Sequence, residues 1–317
     1  MTRFSKRSRR GPVARLTHHA TIDVVSTTDS EHSALDSERL LAWYDGAARD
    51  LPWRTADATP WAVLTSEVML QQTPVNRVLP VYEAWLDRWP TPAHCAAASA
   101  ADVVRAWGKL GYPRRALRLR EAAICCVERY GGALPRDPAE LRTLPGVGTY
   151  TAAAVAAFAF GHRIAVVDTN VKRVASRAVL GVDDPGPVSA ADRALVATVL
   201  PATDAPRWSV AVMELGALIC RAGPPRCASC PIASDCRWLA TGAPTWDGPA
   251  RKTQAYAGTD RQVRGRLLDV LRAAHEPVPA VALTGAWHLD EQRERALASL
   301  VEDGLAVQVG SAYALPT

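Results

Sequence analysis

The sequence predicts an all-α protein with a small additional unit at its C-terminal end. Three observations predict this fold class: helical periodicity without a convincing strand from about residue 36 to 221, helix-capping pairs such as Thr59-Pro60 and Asp137-Pro138, and short turns marked by Pro or Gly. The predicted helices lie at about 38–48, 60–72, 75–89, 99–109, 114–130, 138–143, 149–160, 169–180, 190–200 and 207–219.

The N-terminal segment, residues 1–35, predicts a disordered basic arm. Its first 33 residues hold six basic and three acidic side chains, so they supply +3 of the net charge of +5. The remaining chain is nearly neutral, and any attraction to nucleic acid must come from local basic patches. One such patch is Arg114, Arg115, Arg118 and Arg120.

The C-terminal segment begins with a predicted linker at 241–260, which is rich in Gly, Pro, Thr and Ala. Helical segments at 261–274 and 290–303 follow, and then a hairpin about the Gly310-Ser311 turn. This order predicts a winged-helix-like domain over 261–317. A stabilising role and a DNA-contacting role fit that domain equally well.

Four cysteines are spaced C-x6-C-x2-C-x5-C: Cys220, Cys227, Cys230 and Cys236. Four thiolates suit a structural zinc or an iron–sulfur cluster, and ligand type alone does not separate the two. The other cysteines lie in alanine-rich helical stretches and are expected to be small buried hydrophobes. Seven cysteines without a signal peptide predict a cytoplasmic protein, and no apolar run approaches the roughly 20 residues that span a membrane.

Three segments carry residues suited to chemistry on DNA. The run from Leu144 to Gly148, Leu-Pro-Gly-Val-Gly, predicts a helix–hairpin–helix turn whose glycines bring backbone N–H groups close to a phosphate. Asp168 follows an apolar run at a predicted helix start, where a plain N-cap would contribute about 1 kcal/mol. Glu67 lies inside an otherwise apolar helix, and a buried carboxyl there would have a raised pKa suited to a general acid.

These segments resemble the MutY-type adenine DNA glycosylases of the endonuclease III, or helix–hairpin–helix, superfamily. The resemblance rests on SEVMLQQT, LPGVGTYT, VDTNVKRV, MELGALIC and the cysteine quartet, and it covers about residues 38–240. It implies a helix–hairpin–helix glycosylase fold with a 4Fe–4S cluster in the cysteine loop, a structural zinc being the second alternative. It also implies excision of adenine opposite 8-oxoguanine or guanine in double-stranded DNA, as a step of base excision repair. The protein would be associated with the nucleoid through its binding to DNA.

The resemblance assigns roles to individual residues. Glu67 would protonate the adenine, and Asp168 would stabilise positive charge on the sugar. Tyr150 stands where bifunctional members carry the lysine that forms a Schiff base, so strand cleavage is not expected. Asn170 would help Tyr150 to position these groups. Lys172 is interpreted as a phosphate contact that retains some risk of adventitious lyase activity.

The remaining matches are interpreted as contacts to DNA or substrate. Trp53 and Arg54 would line the adenine pocket, Tyr112 would act as a wedge in the DNA, and the others are Leu70, Gln72, Thr73, Gly146, Val147, Gly148 and Glu214. Each of the less specific matches has a plainer alternative. Leu70 and Trp53 would be core, Gln72 and Thr73 would end a helix, and Glu214 would be a buried structural acid.

The expected organisation is an iron–sulfur cluster domain of residues 36–56 and 163–240 and a six-helix barrel of residues 57–162. Longer members of the family carry a nudix-like domain that senses 8-oxoguanine. The winged-helix-like pattern replaces it here, which leaves the preference for 8-oxoguanine open. We expect a monomer. Two other readings stay open: an endonuclease III-like glycosylase/lyase for oxidised pyrimidines, and a non-enzymatic DNA-structure-binding protein.

Overall fold

The computed structural model describes residues 35–248 and 256–317, which form one compact unit. Residues 1–34 of the predicted basic arm and 249–255 of the predicted linker lie outside the described residues. The helices are α1 (Ser37–Ala47), α2 (Pro60–Leu70), α3 (Val75–Arg88), α4 (Pro92–Ala97), α5 (Ala100–Trp107), α6 (Arg114–Tyr130), α7 (Pro138–Leu141), α8 (Thr149–Phe160), α9 (Thr169–Ala175), α10 (Ala190–Val199), α11 (Ala205–Leu218), α12 (Arg237–Ala240), α13 (Asp260–Ala273) and α14 (Asp290–Glu302). The strands are β1 (Val278–Pro279), β2 (Val307–Val309) and β3 (Ala312–Ala314).

The helical prediction is confirmed in fold class, and two short helices were missed. Helix α4 begins with the same Thr-Pro signal as α2: the hydroxyl of Thr91 accepts the N–H of His94, and Pro92 occupies the first helical position. Helix α12 follows the last cysteine. The predicted helix 169–180 is instead α9 followed by a π-helical turn at Ser176–Leu180.

One hydrophobic core is built around helix α2. Every residue from 61 to 69 is buried, so this helix is enclosed on all sides, as its nearly continuous apolar sequence predicts. Trp85 of α3 and Trp107 of α5 form a T-shaped contact with 5.8 Å between their ring centroids. The alanine-rich α8 packs directly against α2. Glu67 is thereby fixed inside a helix that has no solvent-facing side.

A second core joins the beginning of the helical region to its end. Leu40 of α1 packs with Val171 of α9 and with Trp208 and Leu215 of α11, and Ile232 brings in the cysteine loop. The chain therefore enters this core before α2 and returns to it after α8. The predicted cluster domain is also made of two separate segments of the chain. Its boundaries stay a prediction.

The C-terminal residues form a third core around Leu267, Leu283 and Leu300. The order is helix, strand, 3-10 helix (Ala280–Ala286), helix and hairpin, with an antiparallel sheet of strand order β1-β3-β2. This is a winged-helix-like arrangement in which strand β1 was not predicted. Val104 of α5 completes its core, so the unit is packed on the helical region.

Candidate active site

A large cleft lies where the first two cores meet. Its volume is about 1980 Å³, and its walls come from α2, α8, α9 and α11 together with the 3-10 turn Pro52–Arg54. Among the residues predicted to be functional, it is lined by Trp53, Arg54, Glu67, Leu70, Gln72, Thr73, Tyr150, Asp168 and Asn170. Residues separated by more than a hundred positions in the sequence therefore share one site.

Glu67 is a buried acid that faces this cleft. Burial raises the pKa of its carboxyl from 4.5 to about 7, and the negative charge of Asp168 adds to the rise. The hydroxyl of Tyr150 donates a hydrogen bond to Glu67, and the positive charge of Arg54 also favours the ionised form. The balance leaves a carboxyl that exchanges its proton near neutral pH, which is the requirement for a general acid.

Asp168 is the N-cap of α9 and also borders the cleft. Its Oδ1 accepts the backbone N–H of Val171 at 2.7 Å, and its Oδ2 accepts Nδ2 of Asn170 at 2.9 Å. Burial raises the pKa of Asp168, while these hydrogen bonds oppose the rise. The predicted N-cap geometry is confirmed. Both carboxylate oxygens of Asp168 are held by hydrogen bonds at the wall of the cleft that Glu67 also lines.

Tyr150 lies in the first turn of α8. Burial, and then the charges of Glu67 and Asp168, raise the pKa of this phenol well above its ordinary value. Tyr150 is therefore a neutral hydrogen-bond donor at all ordinary pH values. It carries no amine, so it cannot form an imine with an aldehyde sugar.

A chain of hydrogen bonds runs from Asp168 to the cysteine loop. Asn170, which donates to Asp168, accepts Nη2 of Arg173 at 2.7 Å, and Nε of Arg173 donates to the carbonyl of Cys220 at 2.6 Å. Gly216 of α11 permits this contact, because a Cβ at that position would lie 2.6 Å from Cβ of Asn170. Sequence reasoning missed Arg173 and Gly216, although both lie inside the motifs VDTNVKRV and MELGALIC.

Trp53 and Arg54 lie together on the 3-10 turn at the cleft wall. Trp53 packs edge-on against Tyr82 with 5.0 Å between ring centroids. Arg54 donates through Nη2 to Glu214 at 3.0 Å, and its buried Nη1 has no hydrogen-bond partner in the protein. That nitrogen keeps an unused hydrogen-bonding capacity at the cleft wall.

Glu214 does not line the cleft itself, but its partners Arg49 and Arg54 do. It is fully buried, and Arg49 and Arg54 hold its two carboxylate oxygens at 2.6 to 3.0 Å. Burial opposes ionisation, but these two arginines keep the pKa of Glu214 below its ordinary value. In this arrangement Glu214 fixes the position of Arg54, as the plainer alternative expects, and its role as a substrate contact stays a prediction.

Helix α2 ends in the turn that carries Leu70, Gln72 and Thr73. Gln72 is exposed and has a φ of +53°, whereas Thr73 is buried. Arg115 of α6 terminates the helix, because its Nη1 donates to the carbonyls of Val68, Met69 and Gln71.

Two members of the predicted basic patch are partly buried. Burial lowers the pKa of Arg115 to about 10, and Arg120 donates to the carbonyl of Ala98 at 2.6 Å. Arg114 is paired with Asp303. Arg115 and Arg120 therefore use donors on backbone carbonyls, whereas Arg114 and Arg118 stay about half exposed and are paired with Asp303 and Glu121.

The hairpin from Leu144 to Gly148 joins α7 to α8 and lies outside the cleft lining. Gly146 has a φ of +78°, and a Cβ there would lie 2.8 Å from Cβ of Arg118. Gly148 is the N-cap of α8 in extended conformation, so the expected positive φ is wrong for this residue. Val147 is buried, and its N–H donates to the carbonyl of Leu144. The exposed backbone of the hairpin is therefore at Gly146 and Gly148.

Lys172 is a predicted contact whose ammonium group is paired within the protein. Its side chain is 4% exposed, and its Nζ donates to Asp184, at 2.7 Å, and to the carbonyls of Gly186 and Pro187. All three donors of the ammonium group are occupied. In this arrangement the ammonium group of Lys172 has no free N–H, and its roles as a phosphate contact and as a source of adventitious lyase activity stay predictions.

Tyr112 lies in the turn between α5 and α6, where it has a φ of +47° and is 47% exposed. Its ring lies beside the guanidinium of Arg115, with 5.5 Å to the ring centroid. Its hydroxyl accepts Nη1 of Arg261 at 3.3 Å. An aromatic ring held out to solvent in this way suits insertion between bases.

The four cysteines Cys220, Cys227, Cys230 and Cys236 line one small apolar cavity together with Ile232 and Trp238. Burial raises the pKa of Cys230 to about 11, and the other three thiols are near enough to add to the rise. Within residues 35–248 and 256–317, no three His, Cys, Asp or Glu side chains converge as a site for one metal ion. An enclosed, all-thiol donor set fits an iron–sulfur cluster.

Comparison with known proteins identifies the family. The adenine DNA glycosylase of Mycobacterium tuberculosis is 54% identical over 295 residues, which span 92% of this chain and 96% of that protein. The chain belongs to the adenine DNA glycosylase family. The family member of Mycolicibacterium smegmatis is 55% identical over 271 residues, covering 85% of this chain and 92% of its own, and that of Homo sapiens is 42% identical over 208 residues, covering 62% and 38%.

The fold agrees with this membership. Residues 65–194 match the family described as HhH-GPD superfamily base excision DNA repair protein. The structure of a thermostable thymine-DNA glycosylase superposes with a TM-score of 0.59 at 27% identity, covering 65% of this chain and 95% of that one. A non-covalent endonuclease III–DNA complex gives a TM-score of 0.56 at 25% identity, covering 65% and 94%. The predicted family and fold class are confirmed, and DNA is the partner of this adenine DNA glycosylase family member.

Among the described helices, none is long and apolar enough to cross a membrane.

Proposed function

We propose that the protein removes adenine mispaired with 8-oxoguanine or guanine from double-stranded DNA by hydrolysing the N-glycosidic bond. The observation that carries this proposal is a pair of carboxyls in one cleft, the buried Glu67 and the partly buried Asp168. Glycoside hydrolysis uses such a pair, one member as an acid and the other to stabilise the sugar. The relatives named adenine DNA glycosylase specify the base.

The first step brings the adenine out of the duplex and into the cleft. A mispaired base costs less to extrude than a paired one, because part of its pairing is already lost. Trp53 and Arg54 then border the base, and Nη1 of Arg54 keeps its unused hydrogen-bonding capacity at the cleft wall. Leu70, Gln72 and Thr73, on the turn that ends α2, fill the space left behind.

Glu67 then transfers its proton to the purine. With a pKa of about 7, a large fraction of this carboxyl is protonated at neutral pH, so it both holds and releases a proton there. Protonation converts adenine into a good leaving group. Tyr150 keeps the carboxyl oriented through its hydroxyl.

Asp168 stabilises the positive charge that develops on the sugar as the bond breaks. Its hydrogen bonds from Asn170 and the N-terminal turn of α9 fix the carboxylate before the charge appears, so little reorganisation is needed. Water completes the reaction and leaves an abasic site. The absence of an amine at Tyr150 and the occupied ammonium of Lys172 support base removal without strand cleavage.

The cysteine loop would hold a 4Fe–4S cluster on Cys220, Cys227, Cys230 and Cys236. When bound, the cluster stabilises the loop and, through Arg173, the N-terminus of α9. Visible charge-transfer absorption, together with about four irons per chain, tests this assignment. A colourless protein loaded with zinc would overturn it.

We further propose a monomer that works on nucleoid DNA in the cytoplasm, with the cluster domain at 36–56 and 163–240, the barrel at 57–162 and the winged-helix-like domain at 261–317. The exposed Gly146 and Gly148 of the hairpin would receive a DNA phosphate, and Tyr112 would enter the duplex as a wedge. Sedimentation of the protein alone and with one duplex tests the monomer, which predicts one chain per duplex.

The deciding experiment compares three duplexes that contain A opposite 8-oxoguanine, A opposite G, or thymine glycol opposite A, each with and without alkali. Alkali-dependent breaks at adenine support the proposal. Breaks at thymine glycol without alkali would support the endonuclease III-like alternative instead.

Two variants connect the result to the proposed acid. Glu67→Gln keeps the shape of the side chain and is expected to bind mispaired duplex without excising adenine. Glu128→Gln removes an exposed carboxylate from α6 and is expected to behave as the unmodified protein. Full excision by Glu67→Gln would show that the acid is elsewhere.

A further inference from the structure

The C-terminal unit is docked on the two helices that flank Tyr112. On α5, Nε of Arg272 donates to the carbonyl of Val104 at 3.0 Å, and Nη2 of Arg105 donates to the carbonyl of Ala274 at 3.1 Å. On α6, Arg114 forms an ion pair with Asp303 at 3.0 Å. These contacts lie on both sides of the turn 108–113, so the unit fixes the spacing of the helices that this turn connects.

A further contact reaches the tyrosine itself. Nη1 of Arg261, in the first turn of α13, donates to the hydroxyl of Tyr112 at 3.3 Å. The same tyrosine has a positive φ and an exposed ring, a conformation that costs free energy unless neighbouring groups hold it. Arg115 holds the ring from one side, and Arg261 holds the hydroxyl.

The charges of the unit argue against a separate DNA-reading role. Helix α14 occupies the position of a winged helix's recognition helix, yet it carries four acidic and two basic residues. Of the basic two, Arg293 is buried and donates to the carbonyl of Trp287, and Arg295 is paired with Asp260. A helix of this charge repels phosphates, so α14 is not suited to lie in a DNA groove.

We propose that the C-terminal unit acts through Tyr112, with Arg261 as the positioning residue that holds the tyrosine ready to enter the mispaired duplex. This inference rests on the proposed function, in which Tyr112 is the wedge. It assigns the unit a part in recognising the mispair without contacting a base, and it makes an exposed arginine, 149 residues away in sequence, a specificity residue.

The test is a double-mutant comparison in the full chain. Arg261→Ala, Tyr112→Phe and the double variant are compared by single-turnover release of adenine from an A:G duplex. Binding of the same duplex is measured in the Glu67→Gln background. Arg266→Ala is the matched control, since it removes an exposed arginine from the same helix, where the guanidinium lies over Trp287.

We expect Arg261→Ala and Tyr112→Phe each to lower release or affinity about fivefold, as the loss of one hydrogen bond does. The double variant should be no worse than Tyr112→Phe alone, because both substitutions remove the same contact. Arg266→Ala should stay within about twofold of the unmodified protein. The salt dependence of binding should be equal with and without Arg261.

Two results would overturn the proposal: an Arg261→Ala variant that behaves as the unmodified protein, or one whose defect persists in full in the Tyr112→Phe background. A shallower salt dependence in Arg261→Ala would show that Arg261 contacts a phosphate directly, which also overturns it. Failure of the unmodified protein to release adenine would instead refute the proposed function. The binding comparison would still decide whether Arg261 acts through Tyr112.

Discussion

Replacing Glu67 by glutamine should stabilise the protein at alkaline pH while it abolishes adenine release. The reason is the raised pKa of this buried carboxyl, about 7 in the folded protein against 4.5 in the unfolded chain. Below pH 4.5 both states hold the proton, and Glu67 costs nothing. As the pH rises the unfolded chain ionises first, so the stability of the folded state falls until the folded carboxyl also ionises near pH 7.

The size of this penalty follows from the pKa difference. A difference of about 2.5 corresponds to about 3 kcal/mol, and this full amount is reached above pH 7. Glutamine does not ionise, so the variant escapes the penalty. Its amide adds one buried donor that lacks a partner, which costs about 1 kcal/mol at every pH and cancels when two pH values are compared.

Urea unfolding of the unmodified protein and of Glu67→Gln at pH 4.5 and pH 8 measures the effect. The free energy of unfolding of the variant, relative to the unmodified protein, should rise by about 3 kcal/mol between the two pH values. Glu128→Gln, on the surface, controls for the loss of one carboxylate and should show little change. A difference that stays constant with pH would refute the assignment of a raised pKa to Glu67.

Three further predictions concern the groups around this acid. The rate of adenine release should fall as the pH rises through about 7. Tyr150→Phe should move that fall to higher pH, because the lost hydrogen bond favoured the ionised carboxylate of Glu67. A fall at lower pH in single-turnover rates of this variant would contradict the prediction. Asp168→Asn should lower release by about 100-fold or more but change the free energy of unfolding by less than about 1 kcal/mol, since asparagine is an equally good N-cap; urea unfolding separates the two effects. Glu214→Ala should destabilise the protein by about 3 kcal/mol, because two arginines lose their buried partner, and a change in the urea midpoint of the size seen for surface variants would contradict this.

Helix α2 shows how far the sequence reaches. Its apolar run and the Thr59-Pro60 signal predict a buried helix, and burial of a carboxyl predicts a raised pKa for Glu67. What the sequence does not contain is the set of neighbours that determines the size of the pKa change. Tyr150 and Asp168 lie on other helices, and their distances from Glu67 follow from packing between cores.

The arginines and Lys172 show why contacts were harder to predict than helices. A basic side chain in a glycosylase motif suggests a phosphate contact, but charge alone does not tell whether carbonyls lie nearby. Lys172 is buried because the loop 184–187 folds back over it with two carbonyl oxygens and a carboxylate. Arg115 is partly buried because α2 ends against α6, where the last carbonyls of α2 accept its N–H groups. Neither path is visible in the local sequence.

The cleft holds two acids, Glu67 and Asp168, in different surroundings. Two neighbouring carboxylates would repel each other, and the fold gives them different surroundings. Glu67 is buried and keeps its proton to about pH 7. Asp168 is partly buried and accepts hydrogen bonds from the Asn170 amide and from the N-terminal turn of α9, which favour its charge. The two environments separate an acid from an ion stabiliser. Because Asn170 is itself held by Arg173, which reaches the carbonyl of Cys220, the charge on Asp168 depends on the cysteine loop as well as on α9. The cysteine loop therefore has a structural reason to lie beside the cleft, because it supports the residues that hold Asp168.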